Sequence, residues 1–591
     1  MASSSSLLAP PRPRSSASAP APAPAGRITP DLPRGTGGTG GAPGGGSAPA
    51  ARRAAAARWD GLTATRIVLW GAVAALVLVP LGAIVSLAVS GSGWAELASP
   101  EVLAATGNSL VSAGVSGVLA VLVGTGLALL LERTDLPGRR ALRLLALSPM
   151  LMPPFVGAIA WLSLLGPSSG LNTLWTGWFG APLWNLYGGE GVVFLLTLHS
   201  YPVAMMIVTA ALRRVPADLE QAARIAGSSA PRALWEVTTP LLRPAMLSAF
   251  ALVAVSNLAD FGIPSIIGLP ERYTTLSTLV YRFLQSGTVE DPLAVVSAIG
   301  FVLLLIALLG VVLDLLRTRS RVELDAQAGA PAPLPLGRAR GLVAALTAAA
   351  VLATTLLPLV TLAMQALLPA PGVPFTPETV TLESFERALT ASGTLTGIGN
   401  SLMLATLAGV ICGVLGLLIG AVVARTRARG NGALLGVALL PQAIPGLVIA
   451  VAWLVIAPRV GLANTPWLIL CAYLTSFLAL VVQSVHAPLA GTPATAEEAA
   501  RVSGASRLRA LWDISCRMAV PAAISGAVLV GLTAVRELTL SVLLLSPGSQ
   551  TLGVVIFNLQ QAGAYNASSA LSLIVAVAGL AGLGLTARAQ P

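Results

Sequence analysis

Runs of about 20 apolar residues recur along this chain, each long enough to cross the hydrocarbon core of a bilayer as an α-helix. They fall near residues 66–90, 108–131, 141–165, 191–213, 243–266 and 294–316, then near 341–367, 400–424, 433–457, 465–488, 519–540 and 570–587. That gives about twelve spans, six in each half. Only 10% of the 591 residues are charged, against roughly a quarter in a soluble protein. The expected fold is an all-α polytopic membrane protein.

Arginine sets the orientation. Arg52, Arg53, Arg58 and Arg66 precede the first run, and later clusters are Arg133/Arg139/Arg140/Arg143, Arg213/Arg214, Arg317/Arg319/Arg321, Arg425/Arg427/Arg429 and Arg501/Arg507/Arg509. With twelve spans all of these fall on one side, which the positive-inside rule makes cytoplasmic. The N-terminus is therefore expected in the cytoplasm. Residues 1–62, rich in Ser, Ala, Pro and Gly, lack the apolar side chains a core needs and read as a disordered cytoplasmic tail rather than a signal peptide. Residues 63–320 form the first expected membrane domain, 321–340 a cytoplasmic linker and 341–591 the second.

The halves repeat one another. GNSL at Gly107–Leu110 recurs at Gly399–Leu402, and at the same offset of 292 Arg133-Thr134 matches Arg425-Thr426, Pro149 matches Pro441, Pro153 matches Pro445 and Trp161 matches Trp453. Further on, EQAARIAGSSAPRALWEVTTPLLRP (Glu220–Pro244) aligns without a gap to EEAARVSGASRLRALWDISCRMAVP (Glu497–Pro521) at an offset of 277, with eleven identities in 25 positions. The first half thus carries fifteen extra residues, assigned to the external, Trp-rich stretch after Trp161. Six spans per half insert both repeats the same way up, as parallel repeats about an axis along the membrane normal.

The two matched stretches are polar islands on the cytoplasmic side. Pro216 and Pro493 suit a helix N-terminus, acids follow in the first turns, and Gly227 and Gly504 are natural C-terminal stops. Each should form a helix–turn–helix elbow, with a second short helix through Trp235 or Trp512 leading back to the membrane. A pair of such elbows about a pseudo-twofold axis fits two copies of one soluble partner.

These elbows resemble the EAA motif (EAAxxxG, then IxLP) of permease subunits in binding-protein-dependent ABC importers. Glu498-Ala499-Ala500 and Gly504 match it, with Ile514 at the Ile position and Cys516-Arg517 in place of Leu-Pro; Glu497 precedes the motif. In the first half Glu220 precedes it, Gln221 replaces the glutamate, Ala222, Ala223 and Gly227 are kept, Val237 and Thr239 replace Ile and Leu, and Pro240 is retained. The resemblance covers residues from about 66 to 587. It implies two tandem six-helix permease domains, and docking of two copies of a cytoplasmic ABC ATPase on the elbows. It also implies an extracytoplasmic substrate-binding protein and alternating access driven by ATP. ATP and its magnesium would sit on the partner, with no cofactor in this chain. The departures make the sockets unequal, and the second-half loop is expected to be the less replaceable.

Asp260 and Glu537, also 277 apart, are carboxylates in apolar surroundings, where charge is costly and marks function. Facing a pathway they would attract a cation; alternatively each caps a broken helix or pairs with an arginine such as Arg536. LADFGIPSIIG with YTTLSTLVY, and VRELTLSVLLLSPGSQTLGVVIF with AGAYNASSALSL, are similar to the fused double-domain permeases of ferric-iron importers, with thiamine, aminoethylphosphonate and polyamine permeases close behind.

Other functions are excluded on chemical grounds. No lysine occurs, so all 35 basic residues are arginine. A phosphate-binding GxxxxGK[ST] loop cannot form, nor can a Schiff base. Cys412, Cys471 and Cys516 are dispersed, and His199 and His486 are not equivalent in the repeat, so neither a disulfide framework nor a metal site is expected. The net charge of +11 sits beside the apolar runs, which points to the membrane surface and not to nucleic acid. An ion-coupled secondary carrier would share the parallel repeats but would leave the paired elbows without a role.

Overall fold

The structure is a computed structural model in which residues 61–287, 289–318, 333–426 and 428–589 are described. All but the last two positions of the expected tail, and the linker up to residue 332, lie outside the described residues. In the first half, α1 (Thr63–Ser90) and α2 (Pro100–Arg133) are followed by α3 (Pro154–Leu165) and α4 (Gly189–Leu212). The elbow helix α5 (Ala217–Ile225), α6 (Ala230–Leu258), α7 (Leu276–Ser286) and α8 (Pro292–Thr318) complete it. The second half repeats the order with α9 (Arg340–Ala366), α10 (Thr394–Arg425), α11 (Gly446–Ile456), α12 (Pro466–Ala490), the elbow helix α13 (Thr495–Val502), α14 (Arg507–Val535), α15 (Leu552–Gln561) and α16 (Tyr565–Ala589). Among the described residues ten helices are long and apolar enough to span a membrane, or eleven with one bent pair counted as a span. The run at 570–587 lies in α16.

The third span of each half is not the continuous helix expected over 141–165 and 433–457. Arg139–Leu147 gives way to a tight turn at Ser148–Leu151 before α3, and Asn431–Leu439 to one at Leu440–Ala443 before α11. The second-half pair bends by 107°. The cause lies in prolines already visible as repeat markers. Pro149, Pro153, Pro441 and Pro445 lack an N–H and clash with the preceding turn, so an apolar run long enough to span is folded back at its middle. The fifth spans start earlier than expected. The polar segments after the elbow glycines are already helical at Ala230 and Arg507, and run on through π-turns at Leu234–Thr238 and Leu511–Cys516.

Within each half, the second, fourth and fifth helices form the tightest group: α2, α4 and α6, then α10, α12 and α14. Helices in lipid gain little from apolar burial against one another and associate through close van der Waals approach, which favours small residues. A Cβ on Gly124 would lie 2.7 Å from the Met205 nitrogen, and one on its repeat partner Gly416 would lie 2.6 Å from Val481 Cβ. One turn or two away, a Cβ on Gly117 would meet the Phe250 ring at 3.1 Å, and on Gly409 the Ala527 carbonyl at 2.8 Å. Both contacts recur at corresponding positions of the repeat. The first half adds a buried chain of side chains, Asn257 Nδ2 donating to Ser116 Oγ (2.8 Å) and Ser200 Oγ donating to Asn257 Oδ1 (2.7 Å). Ala408, Ala534 and Phe477 stand at the corresponding places in the second.

The halves interlock through their first helices. α1 packs on α11 and α12, where Thr475 Oγ1 donates to the Leu76 carbonyl at 2.8 Å. Reciprocally, α9 packs on α3, where Thr361 Oγ1 donates to the Ala160 carbonyl at 3.4 Å, and Thr355 Oγ1 lies 2.6 Å from Ser148 Oγ in the turn before α3.

Gly124→Ala and Gly416→Ala should each destabilise the protein by about 1–3 kcal/mol through forced separation of packed helices. Gly114→Ala and Gly126→Ala, whose new Cβ would meet nothing within 4 Å, should leave stability unchanged. Thermal unfolding of the purified protein in detergent measures both.

Candidate coupling elbows and the acid pair between the halves

The elbows form as their sequences dictate. Pro216 caps α5, while α13 starts two residues beyond Pro493. Both helices stop at the expected glycine, Gly227 with φ +97° and Gly504 with φ +94°. The stop is a Schellman motif in each copy. Gly227 N–H donates to the Arg224 carbonyl and Ser228 N–H to that of Ala223, both at 3.0 Å. Gly504 and Ala505 do the same to Arg501 and Ala500, also at 3.0 Å. A side chain at either glycine would occupy the left-handed region, at a cost of about 1–2 kcal/mol.

The two elbows lie on one face of the protein. Arg66, at the start of α1, donates through Nη2 to the Arg429 carbonyl (2.9 Å) just beyond the end of α10. Arg340, at the start of α9, approaches Asp135 just beyond the end of α2 at 3.7 Å. Gln221, Ala222 and Gly227 are exposed in the first elbow, as are Glu498, Ala499 and Gly504 in the second, whereas Ala223 and Ala500 are half-buried against the body. The most exposed apolar side chains on the elbows are Ile225 (89%) and its repeat partner Val502 (90%), which the sequence reading passed over. Trp235 and Trp512 are exposed too, on the helix that leaves each glycine, and Pro240 is half-buried just after the first π-turn.

Glu220 and Glu497 do not face outward with the rest. The Glu220 carboxylate accepts from the Thr238 hydroxyl and lies 3.6 Å from Arg133 Nη2; side-chain exposure in the ion pair is 7% for Arg133 and 14% for Glu220. Glu497 accepts from the Ser515 hydroxyl and lies 3.0 Å from Arg425 Nε, with exposures of 6% for Arg425 and 15% for Glu497. Thr238 and Ser515 sit in the two π-turns, and Arg133 and Arg425 end α2 and α10. The sequence had placed these arginines in the cytoplasmic flank and these glutamates in the first turns of the elbows. What tied them was their shared repetition, Arg133/Arg425 and Glu220/Glu497.

At membrane depth the acid pair adopts the capping geometry. Asp260 Oδ1 accepts from the Ile263 N–H (2.8 Å) and Glu537 Oε1 from the Leu540 N–H (2.9 Å), each where a span has broken. Ser277 Oγ and Ser541 Oγ close the same turns by donating to the carbonyls of Asp260 (2.7 Å) and Glu537 (3.0 Å). Arg536 donates through Nη2 across to the first half, to the Met150 carbonyl at 2.6 Å. Both carboxylates are half-buried, beside the contact of the halves where the Phe261 and Phe557 rings meet at 5.5 Å. Among the described residues no group of three or more His, Cys, Asp or Glu could hold a metal ion. On the face opposite the elbows a cavity of about 740 Å³ opens among Ser163, Tyr187, Gln365, Phe375, Gln560 and Tyr565. Burial there pushes the Tyr187 phenol above the usual tyrosine range.

Two parallel helical repeats, each with a Gly-stopped polar elbow on one face, have the form of a permease of the binding-protein-dependent importers. The chain belongs to the binding-protein-dependent transport system inner membrane component family, which matches it twice, over residues 120–322 and 414–590. It is thus a multi-pass inner-membrane permease. It is 24% identical to the ferric transport system permease protein FbpB of Actinobacillus pleuropneumoniae over 80% of this chain and 69% of that one. It is 26% identical to a probable ABC transporter permease of Sinorhizobium fredii over 79% of this chain and 84% of that one. It is 31% identical to the molybdenum transport system permease protein ModB of Mycobacterium tuberculosis over 37% of this chain and 81% of that one.

Gly227→Ala and Gly504→Ala should each loosen their own elbow, so that amides of α5 or α13 exchange with deuterium about tenfold faster. The helical control Gly432→Ala should leave both elbows unchanged.

Proposed function

We propose that this chain imports ferric iron handed over by an extracytoplasmic binding protein, with two copies of a cytoplasmic ABC ATPase seated on its elbows. The observation that carries the proposal is the pair of equivalent outward faces, Gln221–Ala222–Ile225 and Glu498–Ala499–Val502, on one side of a parallel repeat. Small residues let a groove approach the helix closely, and Ile225 and Val502 supply apolar contact. ATP binding would draw the two ATPases together, and the elbows would pass that movement to the spans as alternating access. In this reading the elbow face and the N-terminus are cytoplasmic, and the domains run over 63–320 and 341–591. ATP and magnesium remain on the partner, as the absence of lysine from this chain requires.

Iron is favoured by a relative that shares both fused halves, the FbpB protein matched over 80% of this chain. Asp260 and Glu537 beside the contact of the halves also suit a cation better than an anion. A second reading, molybdate, follows from the ModB relative, whose match covers 37% of this chain. That oxyanion would have to pass both carboxylates.

Val502→Asp should abolish co-purification of the ATPase, and Ile225→Asp should weaken it, while both variants still insert and purify. Persistence of the complex in both would remove the elbows as sockets. For the substrate, ferric-loaded binding protein should stimulate ATP hydrolysis by the reconstituted complex several-fold over the unloaded form; stimulation by molybdate-loaded protein alone would transfer the assignment to the oxyanion.

A further inference from the structure

The buried pairs Arg133–Glu220 and Arg425–Glu497 are not accounted for by docking, because they face away from the exposed elbow surface. Each is a three-element junction. The glutamate belongs to the elbow helix, the hydroxyl of Thr238 or Ser515 to the π-turn of the fifth span, and the guanidinium to the end of the second span. The arginine is fixed in turn to the chain entering the elbow. Arg133 Nη2 donates to the Leu212 carbonyl (3.2 Å), and Arg425 donates to Thr492 through Nη1 to its carbonyl (2.8 Å) and Nη2 to its hydroxyl (2.6 Å). So the second, fourth and fifth helices and the elbow of each half converge on one guanidinium. These are also the three helices that pack most closely, through Gly124 and Gly416 against the fourth and through Gly117 and Gly409 against the fifth.

We infer that the two Arg–Glu–hydroxyl junctions are clamps through which each elbow moves its own three-helix group as a rigid body. Glu220, Glu497, Arg133 and Arg425 are then positioning residues for coupling and touch neither partner nor substrate. The chemistry favours this role over a passive one. A charged pair shielded from water holds its geometry because removal of either member leaves the other buried without a counter-charge. A hinge would be better made of exposed or apolar contacts. The π-turn, which adds a residue to the helix, brings Thr238 and Ser515 round to the glutamate, and such turns often mark functional points in helices. The inference rests on the importer reading for what the clamp transmits, but not for the clamp itself.

The test has two arms. In the purified chain alone, Glu220→Gln and Glu497→Gln should speed amide exchange in α5 and α13 respectively by more than about tenfold, and the charge swap Arg425→Glu with Glu497→Arg should restore slow exchange in α13. Unchanged exchange in the single variants, or no restoration in the swap, overturns the clamp. In the full complex with ATPase and binding protein, Glu497→Gln should retain the ATPase and its hydrolysis while substrate moved per ATP falls by at least about tenfold, and the swap should recover most of it. An unaltered ratio of transport to hydrolysis overturns the coupling role even if exchange has changed. If the unaltered chain neither holds an ATPase nor transports with one, the importer reading fails, and the exchange arm still decides the clamp.

Discussion

Apolar side chains gain nothing by leaving lipid for one another, and that constraint governs the rest of this structure. Helices here must associate by shape, so the group of second, fourth and fifth spans is built where side chains are missing. A Cβ on Gly124 or Gly416 would collide with the facing helix. Such closeness makes each group a stiff body, and stiffness is what a transporter needs if a movement at one face is to be felt inside the membrane. The elbows sit at the end of these groups. The buried Arg–Glu pairs extend the rigid body out of the hydrocarbon to the surface where a partner can grip it.

The same medium explains the acid pair. Backbone that leaves the helix at membrane depth exposes N–H and C=O groups that lipid cannot satisfy. At Asp260 and Glu537 the spans break, and each carboxylate takes an amide from the turn that follows, while Ser277 and Ser541 satisfy the freed carbonyls. Capping and lining a pathway are compatible roles. One oxygen of each acid holds the turn, and irregular backbone is tolerated chiefly where it borders a cavity or is packed in protein. Arg536 sits at the second-half break and donates to the Met150 carbonyl, which ties that break to the third-span turn of the first half across the contact of the halves.

Much of this was legible in the sequence. Hydropathy gave the helical membrane class, the constant offsets gave two equivalent halves, and Gly227 and Gly504 marked helix stops that the backbone confirms. The failures have a physical pattern. Hydropathy cannot see that a proline folds a long apolar run back on itself, so the third spans were read as straight. Exposure of Ile225 and Val502 was hidden because an apolar residue on a short amphipathic helix is ordinarily buried. The Arg–Glu clamps were missed because the arginine follows the offset of 292 and the glutamate that of 277. The fifteen-residue insertion between them disguises a pair that recurs intact in space.

The inequality of the sockets also changes meaning once the clamps are seen. In sequence, Gln221 opposite Glu498 made the first elbow look like a weakened copy of the second. Inside the protein the first copy is the more heavily tied. Beside its clamp, Glu132 pairs with Arg143 and with Arg213 at 3.0 Å, a network replaced by Ala424 and Leu435 in the second half. Its three helices carry the Ser116–Asn257–Ser200 chain where the second half has only apolar side chains. The two halves thus differ in opposite senses at the two surfaces. The first elbow carries Gln221 where the second exposes Glu498, and its bundle carries two polar networks that the second lacks. A duplicated permease fused into one chain is free to do this, because each half is always paired with the other and need not serve as both members of a symmetric dimer.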